Sequence, residues 1–547
     1  VSRDWSSDVC SSDLGNATYT LTAAGTGSLS GDYTASFSSF ESLQGVANDT
    51  LVISNSGTNI TAALTDVGVG TVTISSATSV SGIDSMTGGS GTTTLSVSGM
   101  TVDLSSHATG TATKSGSAGS MGFSSFESLS SVATDTLTAA GMTSASLSGI
   151  GTGNLTFAGG TTSITGFDAV TLTGAGNSND TLTVSGLSVS LASASSKINN
   201  STVISGFEVL TGAGTDTLRA SDITAATLSS TLAGAMTLGG VAYSYTAFEN
   251  TSLTGSVAGN DVLTIDNGLS VSMTGASAGK LTTGAISFGG FESLTGNGTN
   301  TLDAGSLSVN LTSGGTGKIA GTTDFSSFES LTGTGSLTAS GLTAANLSDT
   351  ITGVLTGSGT TSVSGFGAMT LTGSGGNDTL TVSKPAGLEV LLSATGTGSV
   401  GGSTTTFSSF ETLSGSGSAD TLTSSVDATF SLNGTAGSGT VLGTTFSAFE
   451  NLKGNGTTDT LTSASNARYA VSGAQSGTVS IGGTQMVAYT GMESLTGAAA
   501  ADTLSGVSTT MSVTLSGNGA GTATVSSSVV GFSGKETLIG SSTNDSL

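Results

Sequence analysis

The sequence predicts an all-β chain wound as a parallel β-solenoid of about thirteen repeats of ~41 residues, with two coils to a repeat. Three observations predict it. The first is a unit that returns along the whole chain: Phe-Glu-x-Leu-x-Gly, a short Gly/Ser/Thr run, then Asp-Thr-Leu. The position after the aromatic falls at 41, 84, 127, 168, 208, 249, 292, 329, 367, 411, 450, 493 and 536, and every interval lies between 37 and 44 residues. So steady a period means one supersecondary unit stacked on itself. The second is alternation of apolar with small polar residues over short stretches bounded by Gly, Ser, Asn or Asp, a strand pattern. The third is composition: 85 Gly, a single Pro, 8% charged and 35% hydrophobic residues among 547. Gly, Ser and Thr disfavour helix, and a narrow solenoid core needs few apolar residues.

One repeat, residues 407–447, shows each element in order. Phe407, Phe410, Leu413 and Gly415 mark the opening segment, with Glu411 after the second aromatic. Three apolar residues at spacings of three cannot all face one side of a strict strand, so a corner or a single helical turn is expected there. Asp420-Thr421-Leu422-Thr423 begins the next extended piece, Ala428 to Leu432 the third and Gly439 to Gly443 the fourth. Coils of ~20 residues stacked ~4.8 Å apart would set equivalent residues in ladders, and some 26 coils would make a rod on the order of 120 Å. Thr and Val suit such a pleated surface. A propeller blade also has four strands and about this length, but thirteen blades exceed the usual ring, about 4–8 blades, and Trp-Asp and Gly-His signatures are missing. A flexible Gly/Ser linker would not return its apolar residues on schedule.

Residues 1–14 read as foreign to the array. They carry the only Trp (Trp5) and the only Cys (Cys10). Back-translated, Asp4 to Leu14 is similar to a sequencing adapter, so the segment is set aside as an artefact. The array is then residues 15–547, without cysteine, which excludes a disulfide framework or thiolate metal site. The final Asn544-Asp545-Ser546-Leu547 stops inside a repeat, so both ends read as truncated.

Net charge is −25, from 35 acidic and 10 basic residues. That argues against nucleic acid and anionic membrane surfaces as partners, and no apolar run is long enough to insert in a bilayer.

Two carboxylates repeat. An acid follows the aromatic position in twelve of thirteen repeats, Gly367 being the exception, and Asp precedes Thr-Leu or its variant in ten. Ser or Thr stands three residues before the first acid, as in Ser38–Glu41, Ser124–Glu127 and Ser408–Glu411. That is capping-box spacing, and a structural role is expected for these Glu residues. The second acid raises calcium. Gly373-Ser374-Gly375-Gly376-Asn377-Asp378-Thr379-Leu380 resembles the RTX nonapeptide, departing at its second Gly, and Gly212 to Leu218 matches less completely. The resemblance implies Ca²⁺ ligation between turns, with Asp180, Asp216, Asp378, Asp420 and Asp459 as candidate ligands. Here the motif comes once per repeat, not in direct tandem, and Thr93, Asn300 and Ser336 interrupt it. The plain alternative is an Asp that bonds its own turn.

Signals for catalysis are missing. His107 has no recurrent partner, and the lysines and arginines are scattered singly. A β-helical polysaccharide-cleaving enzyme would need a local acid–base cluster that breaks the repeat. Thr-x-Thr pairs (Thr379/Thr381, Thr421/Thr423, Thr460/Thr462) could form an ice-binding ladder, but would occupy only every second coil. No catalytic residue and no resident cofactor is expected.

On Phe325 to Gly333, Phe446 to Gly454 and the Gly-x-Asp-Thr-Leu segments, the array resembles the repeat regions of large bacterial surface or secreted exoproteins, filamentous-haemagglutinin-like and degenerate RTX-like. The resemblance implies an extracellular or cell-surface stalk or adhesin that meets host cells, glycans or abiotic surfaces.

Overall fold

The computed structural model describes residues 8–10, 16–32, 34–55, 59–176, 179–257, 259–435, 437–483, 485–498, 501–507, 510–542 and 544–547. They form two compact units: Val1–Leu263 with Thr283–Phe291, and Thr264–Thr282 with Glu292–Leu547. The described residues are all-β, with no helix.

In the second unit, the repeat read above holds five strands: Thr412–Gly415, Thr421–Ser424, Thr429–Leu432, Gly439–Val441 and Thr444–Ser447. Leu413, Leu422, Phe430, Leu432, Val441 and Phe446 point inward and are at most 1% exposed. The alternation that predicted strands is therefore the alternation of core and solvent faces.

Pairing defines the winding. The opening strand runs parallel to the second strand of the preceding repeat, Leu413 opposite Leu380, and to the fifth strand of its own repeat, Leu413 opposite Phe446. The second strand pairs elsewhere, with the third strand of the preceding repeat and the opening strand of the next; Leu422 lies between Val390 and Leu452. The third, fourth and fifth strands form an antiparallel meander. The chain thus passes through one stack, crosses to the other, and returns to the first for the meander. The next opening strand, Asn451–Gly454, lands in the opposite stack, so successive repeats exchange sides.

The first unit winds alike. Ala169–Gly174 pairs with Thr136–Met142 and Thr202–Ser205, while Thr181–Val184 pairs with Ser144–Gly149 and Val209–Gly212. The parallel β-solenoid is therefore the fold, but a repeat makes one and a half coils where two were expected. Residues that would have closed a second coil instead fold back as the reversed fourth strand.

That reversed strand has its own packing rule. Its glycine sits opposite the first aromatic of the motif: Gly398 opposite Phe407, Gly439 opposite Phe446, Gly477 opposite Tyr489, and in the first unit Gly110 opposite Phe123. A Cβ on Gly398 would lie 1.9 Å from the Leu391 carbonyl oxygen and 2.9 Å from Phe407 Cζ. The ring covers the glycine and fills the space a side chain would have taken. Phe407 then meets Phe410 edge-on, centroids 6.2 Å apart.

The corner is not a helical turn. In all thirteen repeats the residue before the second aromatic position is left-handed, for example Ser327 (φ 59°), Ser409 (φ 59°) and Ala448 (φ 58°), or a glycine such as Gly491 (φ 65°). One reversed residue swings the chain so that Phe407, Phe410 and Leu413, all at most 2% exposed, face the same core.

Of residues 1–14, Asp8–Cys10 forms a parallel strand beside Ser42–Gln44; 1–7 and 11–14 lie outside the described residues.

Candidate functional site: the Glu–Asp ladder

The recurring carboxylates meet, but across coils. Asp420 is fully buried. Its Oδ1 accepts the Leu388 N–H at 2.8 Å, 32 residues earlier, and its Oδ2 accepts Ser416 and Gly417 N–H at 3.0 and 2.8 Å in its own turn. Asp420 N–H donates to Glu450 Oε2 at 2.9 Å, and the Asp420 carbonyl accepts the Glu450 and Asn451 N–H groups. The two acids therefore clasp neighbouring repeats: Glu holds the Asp backbone of the repeat before it, and Asp holds the entry to the third strand of the repeat before that contact.

The clasp recurs. Glu249 accepts from Asp216 N–H at 2.8 Å, Glu411 from Asp378 at 3.0 Å, Glu493 from Asp459 at 2.6 Å and Glu536 from Asp502 at 2.8 Å. Asp216 Oδ1 takes Leu187 N–H and Asp459 Oδ1 takes Ala428 N–H, each at 2.8 Å. Buried backbone donors need acceptors, and a carboxylate supplies enough lone pairs for a turn and a neighbouring strand together.

The motif's closing glycine belongs to the same joint. A Cβ on Gly373 would lie 1.9 Å from the Ser409 carbonyl oxygen, and one on Gly454 2.2 Å from that of Gly491. Only glycine lets the opening strand pass the left-handed corner of the next repeat.

Interruptions obey the same geometry. At Asn300, Oδ1 accepts the turn N–H of Asn297 at 2.9 Å, while Nδ2 donates to the Asp266 and Leu269 carbonyls at 2.7 and 3.1 Å. Carbonyls stand where other repeats present an N–H, so an amide replaces the acid. Thr93 Oγ1 donates to Glu127 Oε2 at 3.0 Å. The repeat that lacks Asp near Ser336 is followed by the one repeat with Gly367 in place of an acid, and there Gly367 N–H donates to the Gly335 carbonyl at 2.8 Å. The two gaps answer each other.

The capping-box expectation is corrected by this arrangement in its partner, though the acids do hold backbone N–H groups. A left-handed corner offers no helical turn to cap, so the Glu carboxylate reaches to the adjoining repeat.

The calcium candidates are placed as follows. Asp180, Asp216, Asp378, Asp420 and Asp459 are at most 2% exposed. Asp180 Oδ2 accepts Gly176 N–H at 3.1 Å, Asp378 Oδ1 accepts the Ser374 hydroxyl at 2.8 Å, and Asp378 Oδ2 accepts Gly375 N–H at 2.9 Å. Burial opposes the Asp378 charge, but hydrogen bonds from Ser374, Gly375 and Gly376 prevail and hold its carboxyl below the ordinary value. Donor hydrogens face these oxygens where a calcium cage would need further oxygens, so the residues do not fit that cation. Among the described residues no group of three or more His, Cys, Asp or Glu is disposed to hold a metal.

The bases stay apart. Lys318–Asp324 at 2.6 Å and Lys384–Asp349 at 3.0 Å are exposed ion pairs, each worth about 0–1 kcal/mol. His107 lies against Gly159 and Gly160. The Thr-x-Thr pair at Thr421/Thr423 falls in mixed rows: Glu389, Thr421 and Asn451 side by side, then Leu391, Thr423 and Lys453.

Two features were missed. In some repeats a buried threonine of the fifth strand accepts an N–H across the stack, Gly396 to Thr444 Oγ1 at 2.7 Å and Ala108 to Thr162 Oγ1 at 2.8 Å; in so Thr-rich a chain nothing marks it. Lys535, read as one more scattered base, fills the second aromatic position of its repeat and is buried. Its alignment with Phe410 and Phe449 was the available signal.

Comparison with protein-family models, with curated proteins and with solved structures finds no match to this chain.

Proposed function

We propose that the chain is the structural and adhesive repeat region of an exported bacterial surface protein, working outside the cell by extent and surface and not by catalysis. One observation carries this reading. The recurrent carboxylates, the chain's most abundant ionisable groups, are engaged by backbone N–H groups that join one repeat to the next. A lattice of that kind favours adding repeats, since each new one brings its own joint. What faces outward is mostly Ser, Thr and small residues, suited to many weak contacts with glycans, host-cell surfaces or abiotic material. The RTX-like calcium reading has no observation in its favour beyond the motif.

The test is retention of the purified chain on glycan arrays, cultured cells and bare polymer or mineral surfaces, run beside polysaccharide-cleavage assays. Retention without turnover is expected. Cleavage of any polysaccharide would overturn the non-catalytic half, and failure to bind any surface the adhesive half.

A further inference from the structure

Lys535 breaks the repeat at a position where the other twelve carry Phe, Ile or Met. Its residue is 3% exposed, and its Nζ lies 3.4 Å from the centroid of the Tyr469 ring with no hydrogen-bond partner among the described residues. A repeat built for an aromatic rung thus holds an amine in the core. The backbone keeps the ordinary corner: Lys535 N–H donates to the Gly519 carbonyl at 3.0 Å, as Phe410 N–H does to Gly396 at 3.2 Å. The substitution therefore changes the core chemistry without changing the fold.

We propose that Lys535 is a charge switch built into the core of its coil, closing that coil when the amine is neutral and loosening it when the amine is charged. An ammonium without hydrogen bonds is costly inside protein, and one ring face offsets only part of that cost. The charged groups that act on it are Asp502 and Glu536. Glu536 Oε2 accepts Asp502 N–H, and Asp502 Oδ1 accepts Ala467 N–H at 2.7 Å. Tyr469 is held by its hydroxyl donating to the Thr496 carbonyl at 2.9 Å; burial, with Asp502 and Tyr489 adding to it, pushes that phenol far up, so it stays neutral.

Burial lowers the Lys535 amine from 10.5 to about 7, with Asp502 and Glu536 opposing. Between about pH 7 and 10.5 the open coil binds the proton that the closed coil lacks, so closure strengthens as pH rises. Below about 7 both forms are charged and the coil is at its loosest.

Hydrogen exchange of the full chain tests this, corrected for the intrinsic pH dependence of amides, with residues 405–415 as internal control. The opening constant of residues 528–539 should fall up to about tenfold per pH unit above about 7, while the control stays flat. Lys535→Met should abolish the slope and raise protection at pH 6. Lys535→Arg keeps the charge and should remain loose at every pH. If the arginine variant does not fold, competitive acetylation of wild-type Lys535 against pH reads its proton directly. A flat wild-type profile, or a Met variant that retains the slope, overturns the proposal.

Discussion

Asp420→Ala is the sharpest probe of the ladder. It removes the acceptor of three N–H groups, those of Leu388, Ser416 and Gly417. A buried donor left without a partner costs about 1–3 kcal/mol. Leu388 is buried and cannot turn to water, whereas Ser416 is exposed and can. The expected loss is therefore about 2–4 kcal/mol, below the sum of three full penalties. Asp420→Asn should be nearly as damaging, because its NH₂ must face an N–H on one side. Glu450→Gln should cost less than about 1 kcal/mol, since the amide oxygen can still accept the Asp420 N–H. Hydrogen exchange reads these locally, with every 1.4 kcal/mol appearing as about tenfold in protection. Residues 386–392 and 416–424 should lose protection in the Asp420 variants and keep it in Glu450→Gln. Unchanged protection in Asp420→Ala, or equal damage from Glu450→Gln, would refute the assignment of the joint to the aspartate.

The neighbouring joints give further expectations. Gly373→Ala brings a Cβ to 1.9 Å from the Ser409 carbonyl oxygen, and backbone must shift; a loss of about 1–3 kcal/mol is expected, read as lowered protection in 370–382 and 405–415. Asn300→Asp turns a donor into an acceptor opposite the Asp266 and Leu269 carbonyls. Exchange in 264–270 should rise at neutral pH and fall back on acidification, when the carboxyl regains a hydrogen to donate. Asp378 is held below its ordinary value of 3.8, so its contribution is complete above that pH and is lost as pH falls through its lower folded value. An acid titration followed by exchange in 374–382 should show that loss, and Asp378→Asn should flatten it.

Strands, repeat length and core residues were legible because they depend on local alternation and on period, both printed in every copy. Partners were not. Ser408 and Glu411 have capping-box spacing, yet their corner turns on a left-handed Ser409, and backbone handedness at a serine leaves no mark in composition. The reach from Glu450 to Asp420 spans 30 residues, less than one period, because a coil and a half per repeat offsets stacked neighbours from copies aligned in sequence. Aligning repeats therefore places Glu beside Glu and Asp beside Asp, while the stack places Glu of one repeat on Asp of the repeat before. With that offset, the irregularities stop being noise. Gly367 follows the repeat without its aspartate, and Asn300 stands over carbonyls. A chain of near-identical copies carries its structural evidence in the copies that deviate: where a deviation is answered one coil away it belongs to the ladder. Lys535 finds a ring to sit on but no hydrogen-bond acceptor among the described residues, and an unanswered deviation is where a purpose beyond stacking is to be sought.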